Sequence, residues 1–369
     1  MSKNFSVRPE VIDFKPYTPG LSIEEIKKRY GLSSVIKMAS NENPLGTSPD
    51  VQKTIQKYAA YAFRYPSSGN PELREALSKT LSLSSNRIII GNGSDEIIDL
   101  LLRVKCRPGL DNILIFDPSF SIYRLQAKLC GLETRKVPLE NDFSFNWKSL
   151  LAQADQNTAL VFVTNPDNPS GYTVKKQDLY ALAAKLPAQT LLVVDEAYID
   201  FAQPFSEYSC LATDPLPENM VVLRTFSKMY GLAGLRIGYG VMPPWLAEYI
   251  LRVKLPFSVN LLAEKAALTA LADQSFYEAT LKQIIQGRDL LAKELSQLGC
   301  QVYPSQANFL LFKPPQKARQ IFDSLLEQGI IIRPLDSYGL ADCLRVSIGN
   351  HRENELFLKN MQKVLNNDL

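Results

Sequence analysis

The sequence predicts an α/β fold: a seven-stranded, mostly parallel sheet covered by helices, followed by a smaller α+β unit. Three observations predict it. Short β-rich runs alternate with helical segments over the first two thirds of the chain. The runs are almost continuously apolar, as strands buried on both faces must be. After about residue 255 the pattern changes to a long helical stretch and smaller strand runs.

The strand runs are "NRIIIGNG", "DNILIFDP", "ETRKVPL", "TALVFVTNP", "TLLVVDEAY", "NMVVLRTFS" and "LRIGYGVM". Segments such as "SDEIIDLLLRVK", "SFSIYRLQAKLCG" and "VKKQDLYALAAKL" read as the helices between them. The last strand follows its predecessor too closely for a helical crossover, so it is expected to be antiparallel. Residues 1–35 read as an arm with one short helix, "SIEEIKKRYG", belonging to the smaller unit. Residues 36–255 read as the large domain and 256–369 as the small one. In the latter, "LLAEKAALTALADQSFYEATLKQIIQGRDLLAKELSQLG" is a helix with at least one break. It precedes the strand runs "CQVYPS", "NFLLFKP", "GIIIRPL" and "CLRVSIG".

A chain of 369 residues with a net charge of +3 and no basic block gives no support to a nucleic-acid partner. The start has no apolar core of signal-peptide length, and no run of about 20 apolar residues exists to span a membrane. The five cysteines are scattered without a CxxC pair, so reduced thiols in a cytoplasmic protein are expected, with neither disulfide framework nor zinc site. The single histidine, His351, rules out a histidine-rich metal site. No GxSxG elbow accompanies it, so it reads as a polar surface residue.

The strand ends are unusually polar, and ligands of open α/β sheets sit beyond the carboxyl ends of strands. "IIIGNGSDE" ends in glycines and a helix start, suited to phosphate. "FVTNPDNPSG" holds Asn168 between prolines. "LLVVDEAY" places Asp195 at a strand end, with Tyr198 three residues on. "VVLRTFSK" offers Thr225, Ser227 and Lys228, and Arg236 follows. A carboxylate, an amide, a phenol, a lysine and a phosphate cradle together suit pyridoxal 5'-phosphate. Its aldehyde bonds to a lysine, and its ring nitrogen needs a carboxylate to stay protonated. Taken singly, Asp195 also reads as a helix N-cap, Asn168 as a turn residue, Phe120 as core and Tyr65 as a surface tyrosine. Arg333 and Arg345 also read as partners of structural carboxylates.

Taken together, "SNENPLG", "RYP" with "LREAL", "GNGSDE", "DPSFSIY", "NPDNPSG", "DEAYIDF", "TFSKMYGLAGLRIGY", "ANFLLF", "GIIIRPL" and "LRVSIG" cover nearly the whole chain. In order and spacing they resemble the fold type I, aspartate aminotransferase-like, pyridoxal-phosphate enzymes. Within these they are most similar to the histidinol-phosphate aminotransferases. The resemblance implies that Lys228 bonds to the cofactor and then moves the proton, while Asp195 pairs with the ring nitrogen. It implies that Asn168 and Tyr198 hold the ring oxygen and that Phe120 stacks on the ring. Ser94 and Asp95 are expected to give backbone N–H groups to the phosphate, with Thr225, Ser227 and Arg236. Tyr65 is expected to reach the neighbouring subunit's cofactor, which makes the active unit a homodimer. Arg345 is expected to grip the carboxylate of the amino-acid donor, with Arg333 and Tyr17 on the phosphate of the other substrate.

Two motifs depart from the family pattern, as "YPSSGN" and "NPDNPSG". Neither change removes a group with an implied role. A phosphothreonine decarboxylase and an aromatic aminotransferase share the architecture and remain alternatives. So does a catalytically inactive regulatory homologue, which the intact lysine, aspartate and tyrosine argue against.

Overall fold

The computed structural model describes residues 7–12, 14, 21–212 and 215–366. Its strands, in chain order, are β1 (Ile36–Lys37), β2 (Ile88–Gly91), β3 (Asn112–Asp117), β4 (Glu133–Pro138), β5 (Thr158–Thr164), β6 (Leu191–Asp195) and β7 (Met220–Thr225). They continue with β8 (Gly238–Val241), β9 (Gln301–Val302), β10 (Phe309–Lys313), β11 (Ile330–Ile331), β12 (Arg333–Pro334) and β13 (Leu344–Ser347).

The main sheet has seven strands in the order β2-β8-β7-β6-β5-β3-β4. The pairs from β7 to β4 are all parallel, and β8 is antiparallel to both β7 and β2. Residues 226–237 cannot make a helical crossover, so β8 turns straight back beside β7. Every strand but β8 therefore ends at the same edge of the sheet.

The apolar runs divide by the strand period of two. Ile90, Leu114, Val161, Val163, Leu192 and Val194 pack on one face. Ile89, Ile113, Leu160, Phe162, Leu191 and Val193 pack on the other. Helix Gly93–Lys105 covers the second face and helix Pro71–Leu81 the first. Strand β4 departs from the apolar pattern because it is an edge. Only Val137 of it is buried, and the charged Glu133, Arg135 and Lys136 are divided between its two faces.

A four-stranded antiparallel sheet, β12-β13-β10-β9, carries the second core. Helices Gln274–Gln297, Ala318–Glu327 and His351–Asn366 pack on it through Ile284, Leu325 and Phe357. The run "GIIIRPL" makes two short strands rather than one. β11 pairs in parallel with β1, while β12 joins β13. The long helical stretch breaks at Asp273, whose carboxylate accepts the Phe276 N–H at 3.0 Å and caps the second helix. The helix before the break, Leu261–Ala272, packs Ala263, Ala266 and Ala267 into the main-sheet core. The expected division at residue 256 thus precedes a helix that sits on the larger unit.

Just before the strand end, Arg224 is locked in a buried network. Its Nε donates to Glu196 Oε2 at 2.8 Å and its Nη2 to Ser209 Oγ at 2.8 Å. The Cys210 N–H donates to the other Glu196 oxygen at 2.6 Å. Removing one partner of such a pair strands a buried charge. Arg224→Met is expected to lower stability by about 3–5 kcal/mol in urea unfolding, with a smaller loss when Glu196→Gln is added.

Candidate active site

At the common edge lies a cavity of about 160 Å³. Its wall is built from successive strand ends. Ser94 and Asp95 follow β2, Phe120 follows β3, and Asn168 follows β5. Asp195 and Tyr198 come from the end of β6, and Thr225, Ser227, Lys228 and Arg236 from the end of β7 and its loop. A larger cavity of about 690 Å³, beside Tyr239 and Tyr277, contains none of these.

One end of the cavity is made for an anion. The Gly93–Lys105 helix starts with Gly93 at φ +73°, and a Cβ there would sit 2.6 Å from Arg236 Nη2. A Cβ on Gly238 would sit 2.7 Å from the Ser94 nitrogen. Glycines at both places let the helix start, β8 and the guanidinium close together. Arg236 is itself left-handed, at φ +55°. Its Nη2 donates to Asp95 Oδ2 at 3.2 Å and its Nη1 to the Ala233 carbonyl at 3.2 Å. Thr225 Oγ1 accepts the Ser227 N–H at 3.0 Å. Hydroxyls, a guanidinium and first-turn N–H groups of a helix form the donor set a phosphate requires.

The other end holds a buried carboxylate with no basic partner among the described residues. Asp195 Oδ2 accepts from the Tyr123 hydroxyl at 2.8 Å, and Oδ1 accepts the Ala197 N–H at 3.1 Å. The Tyr123 hydroxyl is also 2.9 Å from Thr164 Oγ1. Burial raises the Asp195 carboxyl to about 6 against these hydrogen bonds. A cation in the cavity would reverse that shift, which is what a protonated pyridine ring offers. The residues present therefore fit pyridoxal phosphate at both its charged ends.

Between them stands Lys228. Its Nζ donates to the Ser40 carbonyl at 3.2 Å and lies 5.6 Å from the centre of the Tyr198 ring. Burial lowers the amine to about 8; the Arg345 charge adds to this, while Glu42 opposes it. Arg345 is buried, donates its Nη2 to the Ala39 carbonyl at 3.1 Å and holds the Asn168 side-chain oxygen through Nη1. Its Nε has no partner among the described residues. Arg333, half-buried on β12, is the direct register partner of Arg345 on β13, so both side chains leave the same face of that sheet.

Tyr65 lies elsewhere. It is 83% exposed and stacks on Phe257 at 4.9 Å, outside the cavity of its own chain. Tyr17 lies outside the described residues. The structure adds Thr164, Ala197 and Ala233 to the wall and Tyr123 behind Asp195. Tyr123 sits three residues after Phe120 in "SFSIY", but nothing in the pattern separates it from a core tyrosine.

Residues 33–360 match the family model described as aminotransferase class I and II. The chain belongs to that family. The histidinol-phosphate aminotransferase of Oleidesulfovibrio alaskensis is 54% identical to it, over 98% of this chain and 95% of the relative. The crystal structure of histidinol-phosphate aminotransferase from Sinorhizobium meliloti, in complex with pyridoxal-5'-phosphate, is similar with a TM-score of 0.87. It is 27% identical and covers 100% of this chain and 99% of its own. The L-threonine-O-3-phosphate decarboxylase from Porphyromonas gingivalis shares the fold, with a TM-score of 0.78 at 24% identity over 90% of this chain and 100% of that one. Among the described residues of this aminotransferase, no helix is long and apolar enough to cross a membrane.

The raised Asp195 carboxyl has a consequence for the cofactor-free protein. Between the ordinary value of 3.8 and about 6, the folded chain holds a proton that the unfolded chain releases. The associated stability is present below 3.8 and lost as pH rises through 6. Asp195→Asn removes the penalty. Without cofactor it is expected to be more stable than the parent by roughly 1–3 kcal/mol at pH 7, and by about half that at pH 5. Urea unfolding at the two pH values measures the difference.

Proposed function

We propose that this chain is a cytoplasmic, pyridoxal-phosphate-dependent histidinol-phosphate aminotransferase. The amino group of histidinol phosphate passes to 2-oxoglutarate, giving imidazole-acetol phosphate and glutamate. The observation that carries this reading is the pairing of Arg333 with Arg345 beside a cavity that holds a lysine of lowered basicity. Two guanidinium groups on one face suit a reaction whose substrates carry a phosphate in one half and carboxylates in the other. The high identity to the Oleidesulfovibrio alaskensis enzyme supports the same substrate.

When bound, pyridoxal phosphate supplies the aldehyde that carries the amino group and a ring that accepts the electron pair released at the substrate carbon. The chain does the rest. Ser94, Asp95, Thr225, Ser227 and Arg236 hold the phosphate. Asp195 would keep the ring nitrogen protonated, and Asn168 and Tyr198 would hold the ring oxygen. Phe120, on the cavity wall, would stack on the ring. Lys228, with a value of about 8, is partly neutral near neutral pH. Its amine would hold the cofactor through the aldehyde carbon, and it would carry the proton taken from the substrate carbon. Arg345 binds the donor carboxylate, and Arg333, with Tyr17, takes the substrate phosphate.

Tyr65 has its place in a homodimer. Phe63, Tyr65, Leu255 and Phe257 are all exposed, and the Tyr65–Phe257 stack joins the two chain segments that carry them. A surface of this kind suits burial against a second copy, with Tyr65 delivered to the other subunit's phosphate. Sedimentation at assay concentration should give a dimer, with an interface on the order of 2,000 Å² or more. A fully active monomer would refute the shared site.

Three further tests address the chemistry and the choice of substrate. Lys228→Ala should lose activity by at least about 10³-fold while remaining folded, because nucleophile and proton carrier vanish together. A substrate panel of histidinol phosphate, phosphothreonine and phenylalanine, with 2-oxoglutarate as acceptor, separates the proposed reaction from decarboxylation and from aromatic transamination. In the same assay, Arg333→Ala should cost about 2–4 kcal/mol in kcat/KM for histidinol phosphate and less for glutamate. Equal losses for both would make Arg333 structural.

A further inference from the structure

Three consecutive residues after β1 each touch a different group of the site. The Ala39 carbonyl accepts from Arg345, the Ser40 carbonyl accepts from Lys228, and Asn41 Nδ2 donates to the Tyr198 hydroxyl at 3.1 Å. The sequence marks this segment only as part of "SNENPLG", with no role for Asn41.

The direction of the last contact is fixed by its neighbours. The Asn41 N–H donates to Ser347 Oγ at 2.8 Å, so that hydroxyl turns its own proton to Asn41 Oδ1, 2.9 Å away. The Asn41 amide is therefore oriented, and Nδ2 is the atom left to face Tyr198. Asn308 Nδ2 holds the Asn41 carbonyl at 3.1 Å. Asn41 is 1% exposed and sits at φ +55°, a conformation asparagine tolerates better than most residues. Because the Tyr198 oxygen accepts here, its own proton is not consumed by this contact. Among the described residues nothing accepts that proton, and Tyr198 lines the cavity.

We infer that Asn41 is a positioning residue: it holds the Tyr198 hydroxyl by its oxygen and so commits the Tyr198 proton to the ring oxygen of the bound cofactor. A hydroxyl whose oxygen already accepts a hydrogen bond is also the stronger donor. The inference rests on the proposed cofactor reading. It adds a link between the arginine and the tyrosine, since Ser347 and Arg345 lie on the same strand, β13.

The test uses the protein loaded with pyridoxal phosphate, without substrate, and follows its visible absorbance as a function of pH. A hydrogen bond to the ring oxygen weakens the hold on the proton at the neighbouring lysine nitrogen. Losing that bond should therefore raise the midpoint. Asn41→Gly keeps the left-handed backbone and removes only the amide; it should raise the midpoint by about half a pH unit. Tyr198→Phe should raise it further, and the double variant should match Tyr198→Phe alone. Asn41→Asp keeps the shape but draws the Tyr198 proton to itself, and should shift the midpoint at least as far as Asn41→Gly. Additive shifts in the double variant would overturn the inference. So would unchanged midpoints in Asn41→Gly and Asn41→Asp where Tyr198→Phe moves. No visible band in the parent protein with added pyridoxal phosphate would instead overturn the cofactor reading beneath it.

Discussion

The structure turns on two ionisable groups, Lys228 and Asp195, enclosed in one small cavity without pairing with each other. Burial pushes the amine down and the carboxyl up, so the charged form of each is disfavoured. Neither condition favours the folded chain alone. It is sustained because the groups sit at the ends of strands whose own burial is nearly complete. The stability of the apolar sheet carries the site, and the site gives part of it back.

Geometry then follows from topology. Because β8 returns antiparallel after a short loop, residues 226–237 must stay at the sheet edge, and Lys228 is in them. The loop is drawn against the segment after β1, where a Cβ on Gly231 would meet the Gly46 carbonyl oxygen at 2.0 Å. Thr47 Oγ1 donates to the Gly231 carbonyl at 2.8 Å. So the N-terminal segment reaches the lysine loop closely enough for Ser40 to meet the amine. The same segment joins the second core through the β1–β11 pair, a two-stranded sheet of its own.

Much of this was legible in the sequence. The strand runs that line the cavity are long, apolar and terminated by residues with distinct chemistry, so their number and their polar ends could be read directly. The antiparallel β8 could be read from loop length. What could not be read depends on packing across the fold. β4 reads as another strand, but its edge position is visible only in the assembled sheet. Tyr123 differs from a core tyrosine only in meeting Asp195 from a different strand–helix unit. Asn41 meets Tyr198 and Ser347 across 157 and 306 residues of chain, separations that no local pattern encodes. The Leu261–Ala272 helix reads as the start of the second unit because it is continuous in pattern with the next one. Only its alanine face, packed on the main sheet, shows where it sits.

The Arg333–Arg345 pair gives the physical sense of the second sheet. Like charges directly opposite on neighbouring strands are destabilising. Here Arg345 is buried, with Asn168, the Ala39 carbonyl and the Phe309 ring as partners. None of these carries a negative charge. Arg333 has no ion pair among the described residues. A sheet selected for stability alone would place a carboxylate against either arginine. Leaving both uncompensated on one face, with Arg345 close enough to Lys228 to lower the basicity of its amine, favours an anionic ligand there. Such a ligand would relieve the repulsion as it binds. Under the proposed reading that relief is available in both half-reactions, because each brings at least one anion to the arginines.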